Sequence, residues 1–177
     1  QSFISSLDFD KLLDNILKRI IDTFGYLNLA VFLVAEEKQE LKMRSYINYP
    51  EYVQNMKIKI GENGITGHVA ATKEIYYTPD VRKDPYYIKG VKEAMSEVCF
   101  PLLLGDRIIG VLDVESPELD GFSPDQVKLL STLSAQIAIA LENSRLFDEA
   151  TKMSLTDPLT GLPNRRSFEM TLNNEIK

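Results

Sequence analysis

The chain has 177 residues, 44 % hydrophobic and 26 % charged, with a formal net charge of −6 and a single cysteine. This is a globular balance, enough for one well-cored domain with an extension. It excludes three classes: a nucleic-acid binder, because no run of Lys or Arg supplies a footprint; a membrane-spanning chain, because no apolar run approaches the roughly 20 residues a bilayer demands; and a disulfide-stapled fold, because Cys99 has no mate.

The lone cysteine points to a reducing, cytoplasmic compartment. The chain opens on Gln1 rather than Met, so further residues are expected upstream.

Residues 9 to 24 place Leu12, Leu13, Ile16, Leu17, Ile20, Ile21 and Phe24 at three- and four-residue intervals, with Asp10, Lys11, Asp14, Lys18, Arg19 and Asp22 between them. That period predicts an amphipathic helix. Asp8 is placed to be its N-cap, Leu7 and Leu12 to form a hydrophobic staple, and Gly25 to end it in the left-handed conformation. NLAVFLVA at 28 to 35 is apolar on both alternating faces, which marks a strand covered on both sides. Residues 39 to 48 alternate instead, and the polar EEKQ between the two runs predicts a hairpin. A second hairpin joins VCFPLLL to RIIGVLDV around Gly105 and Asp106, and its inner strand again lacks a wet face. Strands buried on both sides need helices or ordered loops above and below them.

Gly61, Gly64 and Gly67 could cradle an anion on their amides, but no Lys-Ser/Thr ending follows. A glycine turn entering a short helix explains them. SPDQ at 123 to 126 is a strong helix start: Ser123 as N-cap, Pro124 at the first turn and Gln126 completing a capping box. No breaker follows until Pro158, so the helix is expected to run from 124 to about 152. It carries two apolar rows, Val127, Leu130, Ser134, Ile137 and Leu141 on one side and Leu129, Leu133, Ala140 and Phe147 on another. Two faces suggest two partners: the sheet, and a parallel helix of a second subunit packed in coiled-coil style. A homodimer through Leu130, Ile137 and Leu141 is therefore expected.

The order helix, hairpin, loop-rich middle, hairpin, long helix resembles the GAF domain, and so does local sequence from about 8 to 147. GENGITGHVAATKEIYYTPDVRKDPYY, SEVCFPLLLGDRIIGVLDVES and GFSPDQVKLLSTLSAQIAIALENSRLF follow the family's glycine block, Asp-Pro turn, second hairpin and closing helix in order. The resemblance implies an α+β fold: a six-stranded antiparallel sheet, the terminal helices on one face, and a small-molecule pocket under loops and short helices on the other.

Seven of the eight tyrosines fall between 46 and 87, the part that surrounds a ligand in such domains. Tyrosine offers a flat apolar body with a polar tip. Candidate ligand contacts are Tyr46, Tyr77, Asp80, Tyr86, Tyr87 and Cys99, with no catalytic residue and no metal. The ligand itself is unnamed. The spaced set of the cyclic-nucleotide-binding branch is missing, and Cys99 is followed by Phe100 rather than the His of bilin-attaching members. His68 sits in a short helix as a surface or capping residue rather than a haem ligand. A lone Cys99 has no resolving cysteine for the cycle of those relatives that reduce methionine sulfoxide. A GAF domain that only dimerises its enzyme, without ligand, is the alternative reading.

Residues 156 to 166, TDPLTGLPNRR, resemble the opening of a GGDEF domain, the catalytic module of diguanylate cyclases, through Asp157, Leu159, Thr160, Gly161, Leu162, Asn164, Arg165 and Arg166. The Gly-Gly-Asp/Glu-Glu-Phe signature is nowhere in the 177 residues. The resemblance implies a sensory domain at 1–147, a helical linker at 148–155 and a truncated GGDEF start at 156–177. The fragment itself is then not an enzyme and holds no cofactor, whereas the intact protein would use GTP and Mg to make cyclic di-GMP.

Overall fold

The computed structural model describes residues 6–155 apart from Leu27. The described residues divide between two compact units, one of residues 10–139 and one of residues 6–9 with 140–155. In chain order the elements are α1 (Ser6–Phe24), β1 (Asn28–Ala35), β2 (Glu40–Ile47), α2 (Glu51–Gln54), β3 (Ile58–Lys59), α3 (Gly64–Thr72), β4 (Tyr76–Thr78), β5 (Ser96–Leu104), β6 (Arg107–Ser116) and α4 (Pro124–Leu155). Both hairpins form as their sequences predict, as does the six-stranded antiparallel sheet, in the order β3-β2-β1-β6-β5-β4. Among the described residues no helix is long and apolar enough to cross a membrane.

The ends of the elements follow local chemistry. Gly25 takes φ +70°, and its amide donates to the Ile21 carbonyl at 2.8 Å, closing α1. At the start of α4 the capping box is complete: Gln126 N donates to Ser123 Oγ (3.3 Å) and Ser123 N to Gln126 Oε1 (2.8 Å). Asp8 is not the cap of α1, because the helical backbone begins at Ser6. The apolar period locates the buried stripe of a helix, not its first residue. The EEKQ connection is a 3-10 turn (Glu36–Lys38) followed by Gln39 at φ +51°.

The register decides which side chains share a face, since residues directly opposite in a ladder point the same way. Leu29–Val114–Val98 and Val31–Leu112–Phe100 form rows on one face, and all six side chains are fully buried. α1 lies against this face: Arg44 donates to Asp10, and the Ser45 hydroxyl to Asp14. The pairing of β1 with β2 shifts between Val31 and Phe32, whose partners are Ser45 and Met43, so Arg44 is the extra residue of a β-bulge. On the opposite face Ala30, Phe32, Leu41, Cys99 and Val111 pack with Ile65, Val69 and Ala70 of α3 and with Tyr49, Val53 and Val91.

Three side chains of α4 carry the expected dimer seam. Leu130 is 0 %, Ile137 5 % and Leu141 8 % exposed. These side chains are already covered in a single chain. The apolar side chains that α4 leaves open are Leu129 (43 %), Ile139 (56 %) and Leu146 (48 %). The motif TDPLTGLPNRR lies outside the described residues.

Candidate ligand-binding site

Two further ladder rows build the floor of a cavity under α3 and the loops. Asn28, Glu115 and Glu97 stand opposite one another on β1, β6 and β5, as do Ala30, Asp113 and Cys99. Three carboxyl groups therefore project from the middle of the sheet to one side, next to a thiol. Glu97 is 5 %, Asp113 4 % and Glu115 3 % exposed. The cavity above them is lined by Phe32, Tyr49, Val53, Met56, Ile58, Gly64, Ile65, Thr66, Tyr87, Ile88 and Gly90. No Lys, Arg or His is among these residues. Its open volume of ≈ 50 Å³ suffices for a water or two, whereas organic ligands need several hundred Å³.

Six carboxyl oxygens share few protein donors. Tyr49 Oη donates to Asp113 Oδ2 (2.6 Å) and Asn28 Nδ2 to Glu115 Oε2 (2.6 Å). Cys99 Sγ lies 3.2 Å from both Glu97 Oε1 and Asp113 Oδ1, and its one proton can serve only one of them. Buried carboxylates without a cation retain protons. Glu97 is pushed well above the ordinary carboxyl range by burial and then by the charges of Asp113 and Glu115. Burial also raises Asp113, against hydrogen bonds from Tyr49 and Cys99 that pull it back. Glu115 is pushed up to about 8 by burial and the Asp113 charge, although Asn28 favours its ionised form. The three titrate as a set. Burial, with Asp113 and Glu97 beside it, holds the Cys99 thiol protonated well above its usual range, which is the opposite of an activated nucleophile.

Only part of the anticipated contact set meets here. Tyr87 lines the cavity, and Cys99 lies beneath it, its sulfur 3.2 Å from two lining carboxyls. Tyr46 is opposite Ala30 but 39 % exposed, and it is not part of the lining. Tyr77 points to the other face, where its hydroxyl donates to Asp120 and its ring meets Phe122 edge-on. Asp80 caps the 3-10 turn Val81–Lys83 and pairs with Arg82 and Lys83, and the Arg82 hydrogen bond holds its carboxyl far below the usual range. Tyr86 stacks on His68 at 4.0 Å, outside the cavity. Of the seven clustered tyrosines, Tyr49 and Tyr87 line this cavity.

Glu97, Asp113 and Glu115 were missed, although a signal for them exists. A carboxylate inside a strand with no wet face has to be buried, and Asp113 and Glu115 sit two apart on such a strand.

A family model described as GAF domain matches residues 6–142. The chain is 33 % identical over 75 residues to the free methionine-R-sulfoxide reductase of Saccharomyces cerevisiae, covering 42 % of each protein. It is 26 % identical over 158 residues to the formate hydrogenlyase transcriptional activator of Salmonella typhimurium, 82 % of this chain but 22 % of that one. It therefore spans less than half the length of these sequence relatives. Among solved structures, a free methionine-R-sulfoxide reductase from Neisseria meningitidis in complex with its substrate superposes with a TM-score of 0.71 at 26 % identity, over 78 % of this chain and 81 % of that one. The GAF domain of an Acinetobacter phosphoenolpyruvate-protein phosphotransferase gives 0.70 at 22 % identity, over 82 % and 87 %.

Proposed function

This chain belongs to the GAF domain family, and from that premise we propose that it is a sensory module whose ligand is a small molecule bearing an ammonium or similar donor-rich cation. The observation that carries this reading is the set of three buried carboxyls under one cavity whose described lining holds no basic residue. Burying such groups without a counter-charge destabilises a scaffold, so a domain that only dimerised would gain nothing from them. A ligand ammonium supplies both the missing charge and the missing donors. A member of the set that keeps its proton can in turn donate to an acceptor such as a sulfoxide oxygen.

Free methionine-R-sulfoxide is the first ligand to try, since two of the relatives are named for its reduction. We propose binding without reduction: Cys99 is buried and held as the thiol, and the chain offers no second cysteine to resolve an oxidised one.

Occupancy would act through α4, which follows the second hairpin after the connection 117–123 and runs for 32 residues. We place the homodimer contact on its open apolar side chains Leu129 and Ile139. The output would be cyclic di-GMP synthesis by a GGDEF domain using GTP and Mg, on the strength of the TDPLTGLPNRR resemblance. A ligand shifts such an output only by binding its two states with different affinity.

The test is calorimetric titration with L-methionine, its R-sulfoxide and N-acetylmethionine, which lacks the ammonium. Binding of a free amino acid, its loss in Asp113→Asn and no heat from the N-acetyl compound are expected. Equal binding of the acetylated compound, or an unaffected Asp113→Asn, would overturn the cationic-ligand reading.

A further inference from the structure

The tyrosines that do not line the cavity share a different arrangement, and it concerns the segment Asp84–Met95 between β4 and β5. This stretch has no regular secondary structure, yet it supplies Tyr87, Ile88 and Gly90 to the cavity wall. Its two ends are tied by backbone: Asp84 N donates to Val81 O (3.3 Å), and Met95 N to Ser116 O (2.9 Å). Between them, tyrosines hold down the first half, while Val91 and Ala94 are buried near the second end. Tyr52 Oη donates to the Gly90 carbonyl at 2.6 Å, from a side chain that is itself 65 % exposed. Tyr86 stacks on His68 of α3 at 4.0 Å and meets Tyr76 edge-on at 5.7 Å. Tyr76 Oη in turn donates to Asp84 Oδ2 at 2.9 Å, and Asp84 Oδ1 accepts from Tyr86 N at 2.8 Å.

We propose that Asp84–Met95 is a hinged strap that gates the cavity, latched by the Tyr86–His68 stack on one side and the Tyr52–Gly90 hydrogen bond on the other. Three observations converge on it. The cavity is too small for an organic ligand while the strap is down, so a wall has to move. The floor is the centre of a six-stranded sheet and cannot be that wall. The latch groups are exposed contacts (Tyr86 42 %, Tyr52 65 %) that water can replace on opening, whereas the hinge ends are held by backbone hydrogen bonds. Local opening of this kind draws on the least stable parts of a fold. The gating role rests on the cavity being the ligand site, but the motion itself can be measured without a ligand.

Cys99 is a built-in reporter. It is the single cysteine, 0 % exposed, and its sulfur touches two carboxyls of the floor. Its alkylation by iodoacetamide therefore requires either strap opening or global unfolding. Labelling of the folded protein should be nearly independent of urea at low concentration, because strap opening exposes little surface and global unfolding much. Tyr86→Ala and Tyr52→Phe should each speed it by roughly 3- to 10-fold, and Tyr46→Ala, on exposed β2 surface, should leave it unchanged. The strap is overturned if wild-type labelling falls on the urea dependence of global unfolding, or if neither latch variant accelerates it. Thiol labelling uses no ligand, so a cavity that fails to bind methionine sulfoxide and a strap that fails to open give separate results.

Discussion

Replacing Glu115 by Gln should make the protein more stable at pH 8 and leave it unchanged at pH 5. Burial and the Asp113 charge raise Glu115 from 4.5 to about 8 in the folded chain. A folded value above the unfolded one means that the native state binds the extra proton between those pH values. The stabilisation is then complete below about 4.5 and is lost as pH climbs through 8. At about 1.4 kcal/mol per unit, the span corresponds to roughly 5 kcal/mol if Glu115 titrated alone. It shares protons with Glu97 and Asp113, so a realised loss of about 2–3 kcal/mol between pH 5 and 8 is the working figure. In a chain of this size that is a fall in Tm of roughly 4–12 °C. Gln keeps a carbonyl oxygen for Asn28 Nδ2 and the same shape, but it cannot ionise. Thermal unfolding of wild type and Glu115→Gln at pH 5, 6, 7 and 8 should show a falling wild-type curve and a flatter one for the variant. Equal slopes for the two proteins would refute the claim that this carboxyl is buried in want of a cation.

The same cluster predicts that a cationic ligand expels protons on binding. The apparent enthalpy of titration at pH 7 should then differ between phosphate and Tris buffers, and identical enthalpies would contradict a protonated floor. Tyr26 is 4 % exposed, and its hydroxyl is the one buried side-chain polar atom without a partner among the described residues. Tyr26→Phe should therefore be neutral or stabilising by up to about 1 kcal/mol in urea unfolding. Ile139→Asp should convert a dimer to a folded monomer in light scattering, with its Tm lowered only by the lost association, whereas Leu130→Asp should unfold the chain because Leu130 is 0 % exposed.

Much of the fold was legible because both hydrophobic periods are plain. The stripe of α1, the doubly apolar NLAVFLVA and the SPDQ capping box each map onto the element they predict. What period alone could not decide was which of two apolar rows on α4 met the chain's own core. Leu130 and Ile137 belong to the row with Ser134 and Ala138, all of them buried, and small residues permit close helix packing as readily as leucines do. In the site, residue type misled. Tyr77 and Tyr86 look like ligand contacts by chemistry, but neighbouring residues of a strand point to opposite faces, and Tyr77 falls beside Val98 rather than Cys99. Asp113 and Glu115 looked like ordinary strand residues until the ladder put them opposite Cys99 and Glu97.

The bulge at Arg44 has a meaning for how this sheet can change length. Residues 29–31 pair with 47–45 and residues 32–35 with 43–40, so Arg44 alone is outside the count. Excising it leaves each pairing and each inward-facing side chain where it was, whereas inserting or deleting a residue in β1 would turn half a strand inside out. The loss would be the extra local twist that a bulge imparts and the Arg44–Asp10 pair. Position 44 is thus a place where evolution can edit the chain by one residue and alter the curl of the sheet without rewriting the pocket.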